Sequence, residues 1–209
     1  MTVIIVAGVL AIAYILFLFW YYPIPRPLSK QEVENYVRLM AEMRNKAGKD
    51  SANTFDIVRK FGLEDDGKEF FMVNMVKYYE QPQYKDGTVD GSTAQEANYR
   101  YVRNTMPLLL KRACHPYGIF KPALNLSSIN RQDDSYWDNV SAVRYRSRRD
   151  FFNMVTSPQW QAGYGHKVAS LRDNPNMPSK GMVALPVVPI TVFAILLVVQ
   201  LVVTACLMR

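Results

Sequence analysis

The chain has 209 residues, a formal charge of +7 and an isoelectric point near 9.4, which is length for one or two domains. Its two cysteines, Cys114 and Cys206, lie far apart, which excludes a disulfide framework and agrees with a reducing compartment. The basic residues are scattered among acids, with no run longer than Arg148-Arg149. That pattern describes a solvated surface that tolerates anionic lipid headgroups, not a nucleic-acid footprint.

A mean hydropathy of −0.09 hides a segregation of apolar residues to the two termini. Thr2 to Tyr22 and Val183 to Met208 hold no charged residue, and Gln200 is the only strongly polar side chain of the second run. Each meets the requirement of about 20 apolar residues for a hydrocarbon core about 30 Å thick, and neither shows the polar stripe of a buried core helix. The first run lacks a basic leader and a small-residue cleavage site, and it ends in Trp20-Tyr21-Tyr22, an interfacial belt, so it reads as a retained span and not as a signal peptide. Pro23, Pro25 and Pro27 then stop the helix. Two spans put both chain ends on one side of a bilayer. Arg26, Lys30 and Arg38 follow the first span, which places the intervening domain in the cytoplasm.

Past the first span, Ser29 to Glu32 is a capping box, and Val33, Tyr36, Val37 and Met40 follow at helical spacing, predicting an amphipathic helix over 30–46 with Gly48 as its stop. A short helix is expected over 54–61, before Gly62. Residues 69–78 form a β-branched and aromatic run, apolar on both faces, which suits a central strand. A turn-rich stretch covers 80–92. Thr93 and Glu96 make a second capping box for a helix running to about Ala113 through Pro107. Strands are expected over 117–129 and 137–146, joined by a turn at 132–135. Ser147 caps a helix over 148–155, and Ser157-Pro158 restarts it as far as Leu171. A last strand is expected over 181–186. The order is β-α-β-β-α-β, the ferredoxin-like pattern of an α+β domain flanked by two transmembrane helices. The divisions are 1–22 (first span), 23–68 (linker and juxtamembrane helices), 69–186 (domain) and 187–209 (second span).

Four stretches carry a resemblance to a known family. They are Met72 to Lys77; Trp137-Asp138 leading into Val143 to Ser147; Phe151 to Pro158; and Tyr164-Gly165-His166 followed by Ala169 and Leu171. Over 69–186 the chain resembles the small bacterial domains of unknown function called DUF1330, in the dimeric α/β-barrel superfamily. Members usually have Pro where Arg146 stands and are typically soluble. The resemblance implies that two protomers pack four-stranded sheets face to face. The strand itself asks for such a cover, since Phe71, Val73 and Met75 form a second apolar face that two helices cannot reach.

Asn74 is the sharpest candidate residue, an amide among Phe70, Met72 and Val76. Left unpaired and buried it costs about 1–3 kcal/mol, so it is either bonded to a neighbour or poised for a ligand. Haem-degrading relatives in the superfamily pair an Asn on this strand with a Trp and a His on the last helix. Here Met154 stands near the expected Trp position and His166 falls about two residues beyond the expected place. His166 is a candidate general base. Tyr99, Tyr101 and Tyr145 are candidates to line a barrel pocket with Trp160. No Cys or carboxylate stands at metal-ligand spacing to His115 or His166, and no phosphate loop or nucleophile elbow is present, so neither metal nor cofactor is expected. The sequons at Asn125 and Asn139 fall on expected strands.

Two readings follow. The favoured one is non-enzymatic: a membrane-tethered module, dimeric or larger, that scaffolds or accompanies a membrane complex, its spans free of the intramembrane charges of transporters. The other is an enzyme or binding protein for a small hydrophobic molecule in the barrel cavity, with Asn74, Tyr145 and His166 as polar groups. An open cavity lined by those three favours the second reading, and a filled one favours the first.

Overall fold

The computed structural model describes residues 1–46, 52–123 and 137–208. The chain forms two compact units, one of Met1–Ile24 with Gly181–Arg209 and one of Pro25–Lys180. The first unit is a pair of helices, α1 (Thr2–Tyr21) and α7 (Val187–Leu207), both long and apolar enough to cross a bilayer. They run antiparallel. The Tyr14 hydroxyl donates to the Pro189 carbonyl at 3.2 Å, and its ring lies 5.5 Å from that of Phe193. At the other end the Gln200 amide donates to the Val3 carbonyl at 3.4 Å.

The second unit is mixed α+β. Its elements are α2 (Lys30–Lys46), α3 (Ala52–Leu63), β1 (Phe70–Tyr78), α4 (Ala94–Leu110), β2 (His115–Phe120), β3 (Asn139–Tyr145), α5 (Arg148–Val155), α6 (Pro158–Ser170), β4 (Leu171–Asp173) and β5 (Asn176–Ser179). The helix starts follow local sequence. Ser29 Oγ accepts from the Glu32 N–H at 3.2 Å while Glu32 returns to the Ser29 N–H at 2.9 Å, and Thr93 and Glu96 close the same box on α4. Ser147 and Ser157 cap α5 and α6 from Asp150 N and Trp160 N. α4 continues through Pro107 to Leu110, three residues short of the expected end, and Ala113 then takes a positive φ of 53°. The expected Gly48 stop, the 132–135 turn, Asn125 and the far half of the expected 117–129 strand lie outside the described residues. Within them, that strand starts at His115 and ends at Phe120.

All described strands pair antiparallel, in the order β2-β3-β1-β4, with β5 also on β1. The last strand is not where the sequence suggested. Residues 181–186 are not a strand, and Met182 and Val183 are almost fully exposed. The chain leaves α6 directly into β4 and β5, which occupy the free edge of β1. Met75 N donates to the Pro175 carbonyl and the Asn174 amide to the Met75 carbonyl, at 3.2 and 2.8 Å, across the gap between them. Pro175 and Pro178 lack an N–H to offer, which an edge strand tolerates. Pairing with β1, not intrinsic propensity, decides the position.

Phe70, Met72, Asn74, Val76 and Tyr78 share one sheet face and meet the helices, while Phe71, Val73 and Met75 take the other. α2 and α3 belong to this unit's core. Leu28, Val33 and Val37 pack with Phe70, Met72, Phe152, Met154 and Val155. Gly67 lets the 25–28 segment approach, since a Cβ there would lie 2.3 Å from Arg26 N and its φ is +71°. Charge is handled by pairing. Arg144, 2% exposed, reaches Glu69 at 2.6 Å and donates to the Ala113 carbonyl. Arg146 forks onto Asp150 at 2.8 and 2.9 Å.

Candidate functional site

A cavity of about 360 Å³ lies between the sheet and the helices α4 and α6. Its floor is built by register. Asn74 on β1 stands opposite Ser141 on β3 and Asn176 on β5, and Val76 stands opposite Asn139. These small polar residues leave space where longer side chains would fill it. Its roof comes from two helices held in fixed relation. The Asn104 amide on α4 donates to the Gln159 carbonyl at the start of α6, at 2.7 Å. Gly163 makes this approach possible, because a Cβ there would lie 2.5 Å from Asn104 Nδ2. Trp160 stacks on Tyr164 at 4.5 Å, and Tyr101 meets Trp160 edge-on at 6.3 Å.

Most polar groups around the cavity are satisfied within the protein. The Asn74 amide donates to the Met72 carbonyl of its own strand at 3.1 Å. The Asn98 amide donates to the Tyr78 hydroxyl at 3.1 Å; burial pushes the Tyr78 phenol above its ordinary range, against the effect of that bond. The Tyr145 ring is buried, stacked 5.1 Å from Phe70, and burial pushes its phenol well above the ordinary range. Two groups differ. Thr105 and Trp160 line the cavity, but their Oγ1 and Nε1 atoms are covered by neighbouring groups and have no hydrogen-bond partner among the described residues. Each such group costs about 1–3 kcal/mol. No carboxylate, imidazole or thiol lines the cavity among the described residues. Its only cation there is Lys167, whose ammonium lies 5.6 Å from the Tyr101 ring centre.

The structure therefore brings together Asn74, Tyr145, Tyr101 and Trp160 of the expected pocket residues, and separates two others. Tyr99 is 65% exposed and does not line the cavity. One helical residue is 100° of rotation, so a tyrosine two positions from Tyr101 faces away. His166 also points elsewhere. Its Nδ1 is 2.8 Å from the Tyr84 hydroxyl, against the segment that follows β1, and it does not meet Asn74 or Tyr145. The space found lies between one sheet and its own helices, and not on the sheet face that a facing protomer would share. Sequence reading missed Thr105 and Ser141. Thr105 was open to detection: Ala97, Tyr101 and Thr105 recur every four residues, so the hydroxyl belongs on the buried stripe of α4.

No family model matches the chain, and no curated protein matches it. Among solved structures the chain is similar to RPA0582, a protein of unknown function from Rhodopseudomonas palustris, at 23% identity and a TM-score of 0.53 over 63% of this chain and 94% of that one. A structure of methylated RPA0582 matches at 23% identity and a TM-score of 0.55, over 66% and 95%. At this identity the likeness speaks for the fold alone.

Proposed function

We propose that the chain is a membrane-tethered binding protein for a small, largely apolar molecule, held in the cavity between the sheet and helices α4 and α6. The observation that carries this is the cavity itself, about 360 Å³ of unfilled space among aromatic and aliphatic side chains, with amides and a hydroxyl on its floor. Interiors rarely tolerate empty space of this size. The lining supports binding more than acid–base chemistry, since its titratable groups are tyrosines and one lysine, and Tyr78 and Tyr145 are pushed further from ionisation by burial. The two apolar helices would hold the module at a bilayer, and Arg26, Lys30 and Arg38 favour the cytoplasmic side. The strand order β2-β3-β1-β4 supports the ferredoxin-like, DUF1330-like reading.

The self-associating scaffold has one observation in its favour. Val73, Met75, Val140 and Ala142, on the sheet face away from the cavity, are only half-buried, which suits a second protomer in a dimeric barrel. The two roles are compatible.

The test is purification of the full-length protein in mild detergent, beside Ser141→Phe, which fills the cavity from its floor. Mass spectrometry of the organic extract should find a small molecule with the wild type and not with Ser141→Phe. Identical extracts from two equally folded proteins would overturn the binding reading.

A further inference from the structure

We infer that the occupant of the cavity is a monoanionic amphiphile, a carboxylate on a single apolar chain, with its head at the Lys167 end and its chain toward the methionines at the other. This deepens the reading of the cavity as a binding site and rests on it.

The lining is sorted by polarity along its length. Leu171 pairs with Tyr78, and Tyr79 N donates to the Ser170 carbonyl at 3.1 Å, so the end of α6 lies over the Tyr78 end of β1. The Asn98 amide donates to the Tyr78 hydroxyl at 3.1 Å, which sets the start of α4 over the same end. Asn139 stands opposite Val76 there, and Ser141 follows opposite Asn74. Lys167 belongs to this end. It lies one helical turn before Leu171, and its ammonium is 5.6 Å from the ring centre of Tyr101, one turn after Asn98. Trp160, Tyr164, Lys167 and Leu171 recur at the spacing of one helix face, and all four line the cavity. The other end is apolar, where Met72, Met106 and Leu109 meet Met40 and Met154. From Asn98 to Leu109 the lining follows α4 for about 16 Å.

The head group follows from charge. Lys77 pairs with Asp138, Arg144 with Glu69 and Arg146 with Asp150. Lys167 is half-buried, and among the described residues its ammonium has the Tyr101 ring as partner and no carboxylate. A ligand carboxylate supplies the missing counter-charge. Asn139 and Ser141 make no side-chain hydrogen bond among the described residues, whereas the Asn74, Asn98 and Asn174 amides donate within the protein. The free N–H and O–H groups of that end can donate to the carboxylate or to water beside it. One ammonium balances one charge. A phosphate monoester carries close to two and leaves the second unpaired beside an apolar wall. The tail follows from the far end. Methionine side chains adapt to irregular shapes, so Met40, Met72, Met106 and Met154 suit a flexible chain. Two helices apolar enough to cross a bilayer would put the unit where single-chain acids partition.

Four probes of equal chain length separate the possibilities: decanoate; 1-decanol, which loses the charge; decylammonium, which reverses it; and decyl phosphate, which raises it. Binding is measured at about pH 8 on the full-length protein in a nonionic detergent, by equilibrium dialysis of radiolabelled probes. Ser141→Phe gives the baseline for partition into the micelle. Decanoate should bind about ten-fold more tightly than decanol, and decylammonium should not rise above the baseline. This comparison on the wild type stands without any variant. Lys167→Met should abolish the preference for decanoate over decanol, Lys167→Arg should retain it, and Lys167→Glu should pass it to decylammonium. Equal binding of decanoate and decanol above the baseline overturns the carboxylate head while the cavity remains a binding site. Tighter binding of decyl phosphate overturns the single charge. A preference for decanoate that survives Lys167→Met overturns the role of Lys167. If no probe exceeds the baseline while a small molecule still co-purifies with the wild type, the single-chain acid is overturned. If none co-purifies either, the cavity reading itself falls.

Discussion

The register of β1 against β3 runs from Phe70 opposite Tyr145 to Val76 opposite Asn139, and the layer above the sheet changes along it. At the Phe70 end the rings of Phe61, Phe70, Tyr145, Phe151 and Phe152 are linked by stacked, tilted and edge-on pairs with centroids 5.1–6.0 Å apart. At the Val76 end the floor is Asn74, Ser141 and Asn139, and the helices above them leave the cavity open. One pair of strands thus serves two purposes. The aromatic end supplies the stability that allows the other to stay under-packed, as is usual where a site is held ready for something else.

The largest effect should come from the filled end. Phe152 is fully buried, stacked on Tyr36 at 5.0 Å and close to Phe61 and Phe151. Phe152→Ala should destabilise the unit by about 3–5 kcal/mol in denaturant unfolding of the full-length protein. A loss below about 1 kcal/mol would mean that this end is no better packed than the cavity.

Cys114 belongs to the same core cluster and gives a pH handle on it. Burial pushes its thiol from 9.0 up to about 11. An acid whose folded pKa is raised favours its neutral form in the fold, so unfolding releases a proton between those two values. Stability should therefore hold below about pH 9 and fall as the pH rises to about 11, by on the order of 2–3 kcal/mol from this group. Cys114→Ala should flatten that part of the curve. An unchanged slope would assign the high-pH loss to the buried phenols of Tyr78 and Tyr145, which shift in the same direction.

Gly163 tests the roof. Its Cα faces Asn104, and an added Cβ forces the Asn104 amide off the Gln159 carbonyl. Gly163→Ala should cost about 1–3 kcal/mol, the scale of a lost buried hydrogen bond and a displaced helix, less any gain in helix propensity. Unlike Phe152→Ala it should also reduce the small molecule that co-purifies with the protein, because it shifts α6 on α4 over the cavity.

Which of these features were legible in the sequence depends on how local their causes are. The capping boxes at Ser29 and Thr93, the Ser147 and Ser157 caps and the extent of β1 were readable because the residues that decide them are within four positions of one another. The two terminal apolar helices were readable by length and composition. The last strand was not. Residues 171–179 contain two prolines and carry little strand signal, while 181–186 offer Val183 and Leu185, and only the free edge of β1 chooses between them. For the site, Asn74 was visible as an amide on an apolar face. Its companions were not, since Ser141 and Asn176 reach it through cross-strand register and Trp160 through the docking of α6 on α4. His166 was singled out by residue type, and the contact that places it with Tyr84 spans 82 positions of sequence.

The smallest expected effect belongs to Asn74, and its smallness is informative. Among the described residues the amide makes one hydrogen bond, to the Met72 carbonyl two residues back at 3.1 Å, and its side chain lines space that is already open. Truncating it removes that bond without creating a void in packed surroundings, so the cavity term that dominates Phe152→Ala is absent. Asn74→Ala should cost about 0.5–1.5 kcal/mol, the net worth of one hydrogen bond. Asn74→Asp provides the contrast: it places a charge beside Ser141 and Asn176, with no cation among the cavity residues except Lys167, and should lower the melting temperature further than Ala does. A loss above about 3 kcal/mol for Asn74→Ala would make the amide a structural clamp as demanding as the aromatic core. The contrast between the two ends would then fail, and the scaffold would become the better account of the fold.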